Sequence, residues 1–465
     1  MNTPPRGKSL EQIDALVRLL RAGPDNAASI CARLGISQPT FSRLKERAIA
    51  SGARIVTLGA LKSSRYGLAR DAHELGHRIP VYRVSADGLP APFGEFITLA
   101  GDWNAFIPTY REAGEASYEL HEGLPFWLAD LRPQGYLGRM VPRQHEDLAL
   151  PRDINDWSDD HTLMYLARRG ENVFGDVIIG NEALSRYVTH GRRGENLVPN
   201  EDARAALYPA YADRANAGDP PGSSAGGEQP KFTAAVLRAD MSVCHVLVKF
   251  SPPTDSPAGQ RWADLLICEH LALETLRAEG RAASKSHIVA GGGRVFLEVE
   301  RFDRIGSAGR APMVSFAGID TLFGALDRPW SDRAQMLFDR GALPQRDLDN
   351  VRFIEVFGAL IGNTDRHSGN LSFAWARPAK FSLLPAYDTL PMMYRPSQQG
   401  EVVPRTFSPR MLDRVDMRFF DDGLRVARLF WRAAIGNAMI SDGFKQVAAN
   451  HLASIEALRP GFLPA

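Results

Sequence analysis

Ile361-Gly-Asn-Thr-Asp-Arg-His-Ser-Gly-Asn370, with Tyr387-Asp388 following after a short apolar run, is the stretch on which the reading of this chain turns. Asp365 and Asn370 stand in D-x-x-x-x-N spacing. Phosphoryl transfer uses that spacing to hold an Asp that takes a hydroxyl proton beside an Asn that ligates a metal ion. A further Asp at the end of a strand, here Asp388, supplies the second metal contact. Taken singly these residues have ordinary meanings, since Asn-Thr-Asp is turn chemistry in any protein. His367 reads either as a structural loop histidine or as a phosphate contact. Together the spacing points to phosphoryl transfer from ATP.

Such chemistry also needs a loop over the phosphates, a lysine on them and an anchor for that lysine. Working upstream, each has a candidate. Ser223-Ser-Ala-Gly-Gly-Glu-Gln-Pro-Lys231 is a Gly-rich loop in which Gly226 and Gly227 let backbone N–H groups approach phosphate without a Cβ clash. A plain Ser/Gly linker is the alternative meaning. Lys249 closes the apolar run HVLVKF; it is either a strand-end residue reaching water or the phosphate lysine. Glu269, 20 residues on and inside the next helical stretch, is the candidate anchor, with Glu274 the competing choice. Glu300-Arg-Phe-Asp-Arg304 follows the strand RVFLEVE. It offers backbone groups to an adenine ring, or else Arg301 and Asp303 form local ion pairs.

The pattern around these motifs predicts paired strands over 231–237 and 243–250 turning at Ala239-Asp240, a helix over 262–279, a strand over 294–302 and an apolar helix over 352–362. Residues 211–230, rich in Gly, Pro, Ala and Ser, read as a loop. The segment from about 78 to 200 mixes short strands and helices around an apolar, turn-rich middle (124–133) that discloses little chemistry.

At the other end, residues 9–50 read as three short helices. Ser9 caps the first, Gly23-Pro24 stops it, 27–34 forms the second, and Ser37 caps a third with Pro39 in its first turn. Two strands over 53–69 with a basic tip at Lys62-Ser-Ser-Arg65 follow. This is a winged helix-turn-helix pattern. Gln38, Thr40 and Arg43 would reach base edges, and Ser37, Arg47 and the tip would hold phosphates. A small helical dimerisation or scaffold domain is the alternative.

Charge agrees with a nucleic-acid head. The chain carries 55 Lys and Arg against 54 Asp and Glu, yet residues 1–70 hold 12 of the former and 4 of the latter, a net of +8, leaving −7 on the remainder. The 465 residues suffice for about three domains. Three distant cysteines indicate neither a disulfide framework nor a zinc site and fit a reducing cytoplasm; no apolar run is long enough for a membrane span.

These residues carry a resemblance. S-x-A-G-G-E-Q-P-K over 223–231, E-R-F-D-R over 300–304 and G-N-T-D-x-H-x-x-N over 362–370 with Y-D at 387–388 are similar to the HipA-type Ser/Thr protein kinases of bacterial toxin–antitoxin systems. The YjjJ-like branch, which carries its own helix-turn-helix, looks closest. The resemblance spans about 80–465. It implies an α+β, two-lobed HipA/protein-kinase-like fold; together with the N-terminal winged helix-turn-helix domain read above from the residues, the chain divides as 1–75, 78–200 (a HipA-like N-terminal subdomain) and 201–465 (kinase core and helical C-lobe). It makes Ala225–Lys231 the phosphate loop, Lys249 the ATP lysine, Glu300–Phe302 the adenine hinge, Asp365 the catalytic base, His367–Asn370 a nucleotide and metal contact and Tyr387–Leu390 the metal loop. Ser223, or the adjacent Ser224, would be an autophosphorylation site that blocks ATP binding. Cofactors would be ATP and Mg²⁺. Expected partners are a protein substrate, with an aminoacyl-tRNA synthetase or other translation factor the natural suspect, DNA through residues 1–75, and a second copy of the chain on a two-fold site. Two rivals stay open: a DNA-binding transcription regulator with a nucleotide-sensing, inactive kinase fold, and a small-molecule phosphotransferase.

Overall fold

The computed structural model describes residues 6–60, 64–111, 116–190, 196–217, 229–324, 328–377, 379–412 and 415–458. The chain begins with α1 (Arg6–Arg21), a short β1 (Asp25–Asn26), α2 (Ala27–Leu34), α3 (Gln38–Ala50) and the strands β2 (Ile55–Leu58) and β3 (Arg65–Leu68). Apolar residues recurring at helical spacing bring Leu16, Leu20, Ile30, Phe41, Leu44 and Ala48 into one small core. Asn26 caps α2 by accepting from the Ser29 N–H at 2.9 Å, and Gly35, left-handed at φ 63°, ends it and frees the chain to turn into α3. Two expectations change here. Helix α1 already begins at Arg6, so Ser9 lies inside the helix instead of capping it. Ser37 does hold the cap position of α3, but its hydroxyl meets the Thr40 hydroxyl at 2.9 Å and makes no cap to a backbone N–H.

A five-stranded antiparallel sheet follows, built from β4 (Arg78–Val84), β5 (Pro90–Thr98), β6 (Trp103–Pro108), β7 (Glu119–Glu122) and β8 (Val177–Ile179), in the order β7-β6-β5-β4-β8. Helices α4 (Phe126–Ala129), α5 (Gly135–Gln144), α6 (Asp159–Arg169) and α7 (Asn181–His190) accompany it. The head is joined to this sheet directly. Val56 and Leu58 of β2 are buried with Ile97, Leu99 and Ala105. The Ala100 N–H donates to Leu68 O at 2.8 Å, the Arg70 N–H to Thr98 O at 3.0 Å, and the Arg70 guanidinium pairs with Asp160.

The next sheet orders as β12-β13-β11-β10-β9, from β9 (Leu197–Val198), β10 (Lys231–Leu237), β11 (Val243–Phe250), β12 (Ser286–Gly291) and β13 (Arg294–Glu300). Only the β9–β10 pair is parallel. Helix α8 (Arg204–Ala217) precedes β10, and α9 (Pro257–Ala278) joins β11 to β12. The expected loop over 211–230 is therefore helical as far as Ala217. Its alanines are strong helix formers, and the breakers concentrate only from Gly218 onward. The expected range 262–279 is also too short for α9, because Ser256 caps the Gly259 N–H at 3.1 Å with Pro257 at the first helical position.

The C-terminal part holds the hairpin β14 (Arg304–Ile305) and β15 (Gly309–Arg310), then β16 (Val314–Ser315), α10 (Phe316–Phe323), α11 (Trp330–Asp339) and α12 (Gln345–Leu360). Strands β17 (Ser372–Ala376) and β18 (Lys380–Leu383), helix α13 (Phe420–Gly436) and helix α14 (Asp442–Glu456) complete it. Helix α12 starts at Gln345, just after Pro344, and not at Arg352. Every residue from Val351 to Leu360 of it is buried. The main core spans this half and the middle sheet, where Trp127 of α4 stacks on Trp375 of β17, centroids 6.1 Å apart and planes 12° apart. The fold is thus α+β, with a mostly antiparallel sheet ahead of a largely helical lobe.

Candidate active site

Lys249 is the last charged residue of β11 and is only 3% exposed. Desolvating an ammonium is costly unless it is paired. Here Nζ lies 2.7 Å from both Glu269 carboxylate oxygens on α9, and it also contacts Asp388 Oδ1. Glu274, one turn further along α9, instead pairs with Arg277 at 2.7 Å on the surface. Burial works against the Lys249 charge, but Asp388 and Glu269 outweigh it and hold the group charged above its ordinary range. Burial likewise opposes ionisation of Asp388, yet Lys249 and then Lys231 keep its carboxyl below the usual range. Glu269, fully buried, is raised. Lys231 is the cross-strand neighbour of Lys249 in the β10–β11 ladder, so two cations converge on one carboxylate.

The Ile361–Asn370 stretch leaves α12 as an irregular loop that ends in a short 3-10 turn (Ser368–Asn370). Asn363 ties it together. Its Oδ1 accepts from the Asp365 N–H at 3.0 Å, and its Nδ2 reaches Asp388 O at 3.4 Å. Asn370 donates from Nδ2 to Asp365 O at 2.8 Å, which turns its Oδ1 the other way. His367 Nδ1 accepts from the Gly369 N–H at 3.0 Å, and the Trp330 indole donates to His367 O at 3.2 Å. Tyr387 donates to Gly369 O at 2.8 Å and accepts from the Ser372 hydroxyl at 2.6 Å, which fixes the loop against the Asp388 segment. Asp388 itself adopts φ 49°, a left-handed conformation uncommon outside glycine and typical of functional turns. Gly362 is needed for a different reason. Its φ is 81°, and a Cβ there would come 2.6 Å from Met393 Sδ.

Lys249, Glu269, Asp388, Asp365 and Asn370 are therefore drawn together from β11, α9, the loop after α12 and the turn after β18. Asp388 Oδ2 and Asn370 Oδ1 are hard oxygen donors of the kind Mg²⁺ takes when substrate phosphate completes its shell, so the residues present fit that ion. Strand β13 ends at Glu300, so Arg301 and Phe302 lie beyond it. The Glu300 carboxylate pairs with Arg238 and its N–H donates to Lys285 O at 2.8 Å; the Phe302 ring lies 5.9 Å from that of Tyr387. Ser223, Ser224, Ala225, Gly226 and Gly227 lie outside the described residues, as does Lys62. On α3, Gln38, Arg43 and Arg47 are exposed and Thr40 is half-buried. Sequence reasoning passed over Asn363, although it stands within the deciding stretch. The pattern showed its turn chemistry but not that it bridges two loops.

Residues 75–188 match a family model described as "YjjJ-like toxin, middle domain", and residues 223–448 match "HipA-like C-terminal domain". The chain is 35% identical over 435 residues to Toxin YjjJ of Escherichia coli (strain K12), covering 93% of this chain and 95% of that one. Among solved structures, HipA of Shewanella oneidensis MR-1, in a complex with HipB and operator DNA, aligns with 82% of this chain and 96% of its own at 14% identity and a TM-score of 0.47. The Helicobacter pylori proinflammatory kinase CtkA aligns with 46% of this chain and 90% of its own at 12% identity and a TM-score of 0.29. Identity at that level along almost the full length of both sequences, with matches to both family models, means that the chain belongs to the YjjJ-like family of HipA-type toxins.

Proposed function

We propose that the protein is an ATP- and Mg²⁺-dependent Ser/Thr protein kinase of the HipA toxin type. The observation that carries this reading is the buried Lys249, which grips Glu269 and Asp388 at once beside the loop holding Asp365 and Asn370. In it, Lys249 and Lys231 would meet the phosphates, Asp365 would take the proton of the accepting hydroxyl, and Asn370 and Asp388 would hold the ion. The ion would supply neutralisation of charge on the phosphates during transfer. Residues 225–231 would be the phosphate loop and Glu300–Phe302 would border the base. Autophosphorylation at Ser223 or Ser224 would place added charge inside a phosphate-binding loop and switch the enzyme off. The accepting protein would be one needed for growth, such as a translation factor.

The head would bind DNA. Support comes from the exposed Gln38, Arg43 and Arg47 face of α3 and from the net charge of +8 in residues 1–70. Among the described residues no helix is long and apolar enough to cross a membrane.

The test is incubation with Mg²⁺ and γ-labelled ATP beside an Asp365→Asn variant, with phosphate mapped by mass spectrometry. Label on Ser223 or Ser224 in the wild type alone supports the kinase. ATP binding without any transfer would replace it with a nucleotide-sensing regulator.

A further inference from the structure

The segment after β13 is held in an unusual way. Arg301 is still tied to β11, its N–H donating to His245 O at 2.9 Å. Beyond it, Asp303 is buried and serves four donors. Arg301 reaches its two oxygens at 3.0 and 2.8 Å, Arg304 Nη1 lies at 2.6 Å, and the Gly175 N–H at 2.9 Å. The Arg304 side chain leaves the kinase sheet altogether. Its guanidinium enters the turn that joins α6 to β8 and donates to the carbonyls of Asn172, Val173 and Gly175 at 3.3, 2.6 and 3.2 Å. Gly175 and the residues before it belong to the middle sheet's own domain, more than 120 positions away in sequence. Phe302 sits between these gripped residues, and its ring is the one that lies against Tyr387, next to Asp388.

We propose that Asp303 and Arg304 are positioning residues. They fasten the strand end that borders the nucleotide base to the middle domain's 172–175 turn, so that the middle domain sets where the base binds. This rests on the kinase reading, and it gives the middle domain a part in nucleotide recognition that its own residues do not advertise. A guanidinium suits the task because its planar set of donors meets several carbonyls at once, which a lysine ammonium at the same place cannot do in that geometry. Asp303 and its two arginines form a buried cluster in which every oxygen has a donor, so the strand end cannot shift without breaking several charge-assisted bonds together.

The distinguishing property is that base binding and phosphate binding separate. In that reading the phosphates are met by Lys249 and Lys231, with Asn370 and Asp388 holding the ion, and Arg304 bonds to none of these residues. The experiment measures, on the full chain with Mg²⁺, the affinity for ATP and for inorganic tripolyphosphate by calorimetry. It compares wild type, Arg304→Met, Arg304→Lys and Gly175→Ala. Arg304→Met should bind ATP about tenfold more weakly and tripolyphosphate as before, with Arg304→Lys between it and wild type. Gly175→Ala, made in the middle domain at φ 75°, should show the same split, and it decides the matter if Arg304→Met does not fold. Equal losses for both ligands, or no loss for either, would overturn the proposal. A wild type that binds neither ligand would instead remove the kinase reading beneath it.

Discussion

Both carboxylate oxygens of Glu269 lie 2.7 Å from the Lys249 ammonium, in a place where water scarcely reaches either residue. A pair of this kind does not owe its presence to stability, because its desolvation cost is close to what its attraction returns. Breaking it is another matter. Lys249→Met leaves two acidic groups facing an apolar side chain, and should cost about 3–5 kcal/mol in urea unfolding besides abolishing phosphoryl transfer. Lys249→Met combined with Glu269→Leu should recover part of that stability and none of the activity. If the double variant were no more stable than the single one, the pair would not be the source of the loss.

Asp365 should behave in the opposite way. The loop is tied through its backbone, whose N–H bonds Asn363 Oδ1 and whose carbonyl accepts from Asn370, so its carboxylate is not a structural tie. Asp365→Asn should leave the melting temperature within a degree or so and lower transfer about 10²–10⁴-fold, the usual worth of a positioned base. Asn363→Ala removes the tie itself and should cost about 1–3 kcal/mol together with activity. Calorimetry and a labelling assay on the two variants separate these outcomes.

His451 gives a pH signature. It is buried in α14, with Nε2 on Leu360 O at 2.9 Å and Nδ1 on the Tyr394 hydroxyl at 2.8 Å. Burial pulls its pKa down to about 4, against a small opposing effect of the Leu360 carbonyl. The unfolded chain takes up the proton near pH 6.5 and the folded one does not, so this contribution is fully present above about 6.5 and is lost as pH falls toward 4. The slope from one such proton is at most about 1.4 kcal/mol per pH unit. Across that window the stability difference between wild type and His451→Gln should narrow as pH falls. A difference that stays constant would show that His451 titrates normally.

The head should bind DNA with a strong salt dependence. Each phosphate contact removed lowers the slope of log K against log salt by about 0.9, so Arg43→Ala with Arg47→Ala should flatten it by about one to two units if either or both meet phosphate. Fluorescence anisotropy over a potassium chloride series reads this out. An unchanged slope and affinity would place the contact surface elsewhere on the molecule.

How much of this was legible in the sequence depends on whether a feature is local. The strands Lys231–Leu237 and Val243–Phe250 and the helix Ala27–Leu34 follow from apolar pattern and turn residues a few positions away, and pattern located them to the residue. The starts of α9 and α12 were missed because a Ser–Pro cap and a preceding proline outweighed the apolar pattern used to place them. The gathering of Lys249, Asp365, Asn370 and Asp388 was legible through spacing. The choice of Glu269 over Glu274 was not, since both lie in one helix and only the direction each faces separates them. Asp303 and Arg304 offered no local sign of their partner, because the turn that receives them lies far back in the chain.

The docking of β2 against the middle sheet has a practical corollary. A fragment ending at residue 75 would carry Val56 and Leu58 without Ile97, Leu99 and Ala105 to cover them, and would present an oily face to water. The smallest piece of this chain able to keep the head's shape runs at least through Trp103–Pro108. For the same reason the head is no weight swinging on a string: wherever it is anchored, the lever arm to the rest of the chain has a set length and a set bearing.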